Sequence, residues 1–339
     1  MDMVYKTMLL TSSDEDIAQA AEIISGGGIV GMPTETVYGL AADAENSEAV
    51  KKIFEAKGRP QDNPLIVHLA DISQIEEYAR DIPEIAYRLA EHFCPGPLTM
   101  VLPKRERIPD ITSAGLDTVG IRIPCHKAAL KLIKASGKAI AAPSANLSGS
   151  PSPTSAEHVI NDMNGRIPAI IDGGSCAVGV ESTVISFENG KIRLLRPGFV
   201  SAEELSEFGD VIKDRHITEA AADGETVRSP GMKYKHYSPK ANVTIVSGSR
   251  EKYLEFVNGH SAEGVFAMPF DEDEKLCEIP CVPYGDTDGE QAARLFSVLR
   301  KFDEMNAKQV YARCPSQDGV GLAVYNRLLR AAGFEIIKV

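Results

Sequence analysis

The sequence predicts an α/β protein: a twisted, open, mixed sheet with helices packed on it, joined by an extended linker to a smaller, doubly wound C-terminal α/β domain. Three observations predict this. Hydrophobic periods of 2 and 3.6 are mixed along the first 210 residues, and the strands there follow one another with too few helices between them for a regular βαβ repeat. The last 100 residues alternate strand and helix, the pattern of a small doubly wound sheet. Between them the charge changes sign: residues 1–210 carry 19 basic and 29 acidic side chains, residues 211–240 carry 6 and 4, and residues 241–339 carry 11 and 15. The expected division is a first domain over 1–210, a linker over 211–240 and a smaller C-terminal domain over 241–339.

Taken in order, Ser13 with Asp16 has the form of a capping box. Ile17, Ala20, Ala21 and Ile24 mark one helix face, which Gly26-Gly-Gly28 ends. Ile29–Met32 reads as a short strand, and Val50, Ile53 and Phe54 as a second helix. Leu65–Leu69 is a strand, and Ile75–Phe93 is helical with a break near Pro83. Leu98–Leu102, Thr118–Ile123, Ala139–Ala142, Ala169–Asp172 and Thr183–Ser186 are further strands. In the last part, strands at Val243–Val246, Val265–Met268, Val310–Arg313 and Glu335–Val339 alternate with helices at Arg250–Val257, Gly289–Met305 and Val320–Ala332. From Arg228 to Lys240 the chain holds four cations, His236 and two Tyr with no acid, and Pro230 and Pro239 lie near its ends, as expected of an extended tether.

Composition excludes several classes. With 43% hydrophobic and 25% charged residues the chain is neither disordered nor fibrous. No apolar run approaches the ~18–20 residues of a membrane span, and Met1–Leu10 lacks the basic-then-apolar pattern of a secretory leader. Six Cys without a Cys-x-x-Cys give neither a disulfide scaffold nor a zinc site, so reduced thiols in a cytoplasmic protein are expected. A net charge of −12 argues against tight non-specific nucleic-acid binding. Gly-x-Gly-x-x-Gly, Walker A, Gly-x-Ser-x-Gly and His-Glu-x-x-His motifs are absent.

Four polar clusters sit at strand ends or loops. Pro33-Thr-Glu-Thr-Val-Tyr-Gly39 offers hydroxyls and amides that can hold an anion, or forms an ordinary Thr-capped turn. Lys57-Gly-Arg-Pro-Gln-Asp-Asn-Pro64 sets two cations in a proline-stiffened loop; they either clamp phosphate or end a helix favourably. Arg122 lies between apolar residues in Thr118-Val-Gly-Ile-Arg-Ile-Pro124. A buried Arg needs an anion, either an internal carboxylate or that of a substrate. Ala141-Ala-Pro-Ser-Ala-Asn-Leu-Ser-Gly-Ser-Pro151 is a small polar loop whose Ser144, Asn146 and Ser148 can meet phosphate and ribose, or it is an ordinary surface turn. Gly179-Val-Glu-Ser-Thr-Val184 and Leu195-Arg-Pro-Gly198 are similar loops. Together they suit a site for a nucleotide and a small acid, without a covalent enzyme intermediate.

The motifs Pro33–Leu40, Lys57–Pro60 with Asn63–His68, Cys94-Pro-Gly-Pro-Leu-Thr99, Val119–Pro124 and Ala142–Asn146 resemble the YrdC-like threonylcarbamoyl-AMP synthases. Ser229–Pro239 and the domain after it resemble that family's long, two-domain form. The resemblance implies a YrdC-like catalytic fold with a concave cavity and a Rossmann-like second domain. It implies synthesis of threonylcarbamoyl-AMP and pyrophosphate from L-threonine, bicarbonate and ATP, with Mg2+ bound mainly through ATP. Downstream transferase proteins would carry the group to the adenosine beside the anticodon of tRNA, which would itself be contacted indirectly. It also implies Lys57, Arg59, Ser144 and Asn146 as the polar tetrad at the reactive centre. ATP would be met by Arg59, Asn63, Thr118, Ser144, Ser152 and Arg196, with Tyr234, His236 or Tyr237 closing over it from the linker. Threonine would be met by Thr36, His68, Arg122, Ala142 and Ser182. The rival reading is an RNA-binding translation or ribosome factor using the same cavity.

Overall fold

The computed structural model describes residues 5–219 and 237–339. Strands β1 (Met8–Leu10), β2 (Val30–Met32), β3 (Gly39–Asp43), β4 (Ile66–His68), β5 (Leu98–Pro103), β6 (Thr118–Arg122), β7 (Ile140–Ala141), β8 (Ala169–Ile171), β9 (Thr183–Glu188), β10 (Lys191–Arg196) and β11 (Val211–Lys213) form one mixed sheet. Its order is β1-β8-β2-β3-β7-β4-β6-β5-β9-β10-β11. Parallel and antiparallel pairs are interleaved across it, as the scarcity of crossover helices predicts.

Side-chain alternation feeds both faces of this sheet. Leu40 and Ala42 enter one hydrophobic cluster and Ala41 the other. Helices Ser47–Lys57, Glu84–Phe93 and Ala156–Met163 cover the first face, and Asp14–Ser25 with Lys127–Ser136 cover the second. Ser13 caps its helix by accepting from the Asp16 amide. The expected reciprocal half of the box is not made: Asp16 accepts instead from the amide and hydroxyl of Thr11. Strands β1, β3, β10 and β11 and the helices at 127–136 and 156–163 add to the elements expected from sequence.

The second unit is a four-stranded parallel sheet, ordered β13 (Val265–Met268), β14 (Gln309–Arg313), β12 (Asn242–Ser247), β15 (Ile336–Lys338). Helices Arg250–Asn258, Asp288–Glu304 and Gly321–Ala331 alternate with these strands. Its core is centred on Phe296, Phe302, Tyr284 and Leu328, and also takes in Val37, Val180 and Tyr237. The two units therefore share packed apolar surface beside the large sheet. Within the stretch expected to be linker, Val211–Lys213 pairs parallel to β10, and Ser238 joins Gly149 to the helix end at Ala331. Among the described residues no helix is long and apolar enough to cross a membrane.

Candidate active site

Lys57 is the last residue of the helix Ser47–Lys57. Val50, Ile53, Phe54 and Lys57 stand at i, i+3, i+4 and i+7, so the lysine falls on the buried face of an otherwise apolar stripe. Gly58 then turns the chain with φ of 60°, a left-handed cap suited to glycine. Lys57 is 2% exposed. Its ammonium does not cap its own helix. It crosses to the loop after β7, donating to the carbonyls of Ser144 and Asn146, both at 2.5 Å. Burial, reinforced by the Arg59 charge, holds its pKa well below the usual lysine range.

The receiving loop is fixed from within. Ser144 donates to Asn146 Oδ1 at 2.5 Å, and the Asn146 amide donates to the carbonyls of Leu147 and Ser150. Lys57, Ser144 and Asn146 are thus one hydrogen-bonded unit. Arg59 joins it on the cavity wall and donates to the Asn63 carbonyl.

Strand register builds the opposite wall. His68 pairs with Arg122 across β4 and β6, and Arg122 with Thr99 across β6 and β5, placing the three in one row. His68 is buried, and its Nδ1 has no hydrogen-bond partner among the described residues. Burial and then the Arg122 charge push its pKa down to about 3. It is therefore neutral at physiological pH.

Arg122, the cation set in an apolar strand, finds an internal partner. Its Nη2 donates to Glu35 Oε1 at 2.6 Å, with both side chains under 10% exposed. Burial alone would raise the Glu35 pKa, but the charge and hydrogen bond of Arg122 carry it below the usual range. The substrate carboxylate is therefore not required to account for the buried arginine, although Arg122 still faces the cavity.

Ser182 shares a hydrogen bond with Thr99, while its carbonyl accepts from both Nε and Nη2 of Arg196. Burial, then the Arg327 charge, lowers the Arg196 pKa to about 10, which leaves it cationic at neutral pH. These groups enclose a cavity of about 680 Å³, part of it open to solvent. Lys57, Arg59, His68, Arg122, Ala142, Ser144, Asn146, Ser182, Arg196 and Tyr237 all line it.

The other expected contacts lie behind or beside this wall. Ser152 is buried and donates to Glu181 at 2.5 Å, and Thr36 is buried against Thr34. Asn63 is 1% exposed with Oδ1 unpartnered among the described residues. Thr118 lines a smaller cleft that shares Pro64, Leu65 and Ile66 with the main cavity. Tyr234 and His236 fall outside the described residues. Among the described residues no group of three or more His, Cys, Asp or Glu could hold a metal ion.

A family model for Sua5, YciO and YrdC, described as "Telomere recombination", matches residues 22–198. A second, "Threonylcarbamoyl-AMP synthase, C-terminal domain", matches residues 200–333. The chain belongs to this family. A threonylcarbamoyl-AMP synthase of Pyrococcus abyssi is 47% identical, over 94% of this chain and 95% of the relative. One from Bacillus subtilis is 46% identical, over 97% and 96%. The crystal structure of P. abyssi Sua5 complexed with L-threonine superposes with a TM-score of 0.91 at 45% identity, covering 98% of this chain and all of that one.

Within this Sua5-type site, sequence reading missed two acids. Glu35 and Glu181 both stood inside quoted motifs, yet neither was given a role. Their signal was a carboxylate placed in each of two small-residue loops near buried arginines. Glu35 answers Arg122, and Glu181 answers Arg327 at 2.9 Å from the second unit.

Proposed function

We propose that the protein is an L-threonylcarbamoyladenylate synthase, a nucleotidyltransferase that converts L-threonine, bicarbonate and ATP into threonylcarbamoyl-AMP and pyrophosphate. One observation carries this reading. Lys57, Arg59, Arg122 and Arg196 converge with Ser144, Asn146 and Ser182 on a single cavity, in a chain matching synthases over nearly its whole length. The relatives' names favour this reading over an RNA-binding role, and nothing in the geometry supports the latter independently.

In the proposed reaction bicarbonate takes up a proton and loses water to give CO2, and the threonine nitrogen attacks its carbon, forming an N–C bond and releasing the proton that balances the dehydration. A carbamate oxygen then attacks the α-phosphorus, forming an O–P bond while the bond to the β-phosphate breaks and pyrophosphate leaves. The protein's share is positioning and charge stabilisation. Lys57 holds Ser144 and Asn146 in one arrangement, and their polar groups with Arg59 would meet the reacting atoms. Arg59, Asn63, Thr118, Ser144, Ser152 and Arg196 would surround ATP directly or through the groups they hold, with the Tyr234–Tyr237 segment beside it. Thr36, His68, Arg122, Ala142 and Ser182 would define the threonine end.

Magnesium enters this proposal with the nucleotide. Glu181, which lines the cavity, and Glu35, which pairs with the cavity residue Arg122, are already held by Arg327 and Arg122, so neither is proposed as a ligand. The product would pass to downstream transferase proteins that act on tRNA, without a direct tRNA contact here, in the cytoplasm. The division expected at 1–210, 211–240 and 241–339 is kept in kind, with the first boundary moved past strand Val211–Lys213, which pairs with β10 in the large sheet.

The test is pyrophosphate release from ATP by the purified protein, with and without threonine and bicarbonate, alongside mass detection of the adenylate. Release that requires both co-substrates is expected. Release indifferent to threonine would remove the reading.

A further inference from the structure

Arg327 lies at the middle of the helix Gly321–Ala331 in the second unit, with none of its surface exposed. A buried guanidinium costs several kcal/mol unless its donors are met. Here they are met by the cavity wall of the first unit. Nε donates to Glu181 Oε2 at 2.9 Å, Nη2 to the Glu181 carbonyl at 3.1 Å and Nη1 to the Pro197 carbonyl at 2.5 Å. Glu181 immediately precedes Ser182, and Pro197 immediately follows Arg196. The other Glu181 oxygen accepts from Ser152. One side chain from the second unit therefore fixes both segments that carry Ser182 and Arg196, and reaches Ser152 through a single carboxylate.

The same loop is pressed against the second unit elsewhere. Gly179 has φ of +82°, and a Cβ there would stand 2.4 Å from the Ala292 carbonyl of the helix Asp288–Glu304. The loop has one seat, and Arg327 is its polar anchor.

We propose that Arg327 is a positioning residue for the reaction, through which the second domain sets the placement of Ser182, Arg196 and Ser152 in the cavity. The inference rests on the synthase reading of that cavity. Arg327 touches no substrate; it acts through Glu181 and Pro197.

The test compares full-length wild type, Arg327→Met, Arg327→Lys and Arg313→Met. Arg313 is also in the second unit, pairs with Glu272 and Asp273 of that unit and does not line the cavity. The readouts are KM for ATP and threonine, kcat, ATP Kd by calorimetry, and melting temperature. Displacing a contact by about 1 Å costs on the order of a hundredfold. Arg327→Met should raise both KM values and the ATP Kd at least about tenfold, with a smaller fall in kcat. Arg327→Lys keeps the charge but loses the fork, and should be intermediate. Arg313→Met, which loosens the second unit without touching the first, should leave both KM values and the ATP Kd near wild type. Wild-type constants in folded Arg327→Met would overturn the proposal, as would an equal rise in Arg313→Met. If Arg327→Met does not fold, Arg327→Lys decides: unchanged constants overturn the proposal and raised ones support it. A wild type that binds ATP but makes no adenylate would remove the synthase reading instead, and the ATP Kd comparison would still decide the role of Arg327.

Discussion

Lys57 shows how one position can be read two ways. A lysine closing a helix commonly stabilises the C-terminal carbonyls. Here the apolar stripe before it turns it inward, and its donors go to the carbonyls of Ser144 and Asn146. Changing Lys57 to Ala removes that tie and one buried cation. We expect adenylate formation to fall on the order of a hundredfold or more, the scale of a lost preorganised donor, in steady-state assays. His68 gives a pH prediction. Its pKa is about 3 in the folded protein against 6.5 for the ordinary group, because burial and Arg122 disfavour the imidazolium. The unfolded chain therefore binds the extra proton first. His68 adds stability above pH 6.5 that is lost as pH falls from 6.5 toward 3, by about 1.4 kcal/mol per pH unit. Chemical denaturation of His68→Gln between pH 6.5 and 4.5 should show a correspondingly shallower slope. An unchanged slope would show that His68 is not held neutral.

At the scale of elements, most of the longer helices and most of the β-branched strands were legible from their periods, although the amphipathic helix Lys127–Ser136 and the short strand Val211–Lys213 were passed over. The helix at Asp14–Ser25 buries the four residues its spacing marks. Strand β3 was not legible: Gly39-Leu-Ala-Ala-Asp43 has no β-branched residue, and burial on both faces removes any alternation. Strand β10 had a signal that was overlooked. Asn189-Gly190, both with positive φ, forms the tight turn that pairs Glu188 with Lys191 and launches the hairpin. The row joining His68, Arg122 and Thr99 depends on register between distant strands, which local pattern does not encode. The loop at Gly179 carries the prediction for this scale. Gly179→Ala combines left-handed backbone with a Cβ driven into the Ala292 backbone. It should destabilise the protein by on the order of 2 kcal/mol or more in urea titrations.

For the whole molecule, recurring motifs made both the family and the cavity's cations legible, whereas the join between the units was hidden. Arg327, Asn326 and Arg300 all reach across it, to Glu181, to the Ile217 carbonyl and to Asp162 respectively. They sit in helices whose sequence reads as ordinary amphipathic packing, and their partners lie more than a hundred residues away. Tyr237 lines the cavity while packing at a tilt on Phe296 of the second unit, with ring centroids 5.2 Å apart. Ligand binding should therefore stabilise the two units together. Saturating ATP and threonine, near 100 times Kd, should add about 2.7 kcal/mol per bound site. A single cooperative melting transition should move upward. Two transitions, of which one moves, would show that the units respond separately.

The central claim is that the cavity around Lys57 and Arg59 joins threonine, a one-carbon acid and the α-phosphate. The most direct measurement is incorporation of carbon-13 bicarbonate into an adenylate, followed by mass spectrometry in wild type and in the Lys57→Ala, Arg59→Ala pair. The account predicts a labelled threonylcarbamoyl-AMP in wild type that is lost when both cations are removed. An adenylate without the label, or labelled product undiminished in the double variant, would contradict it.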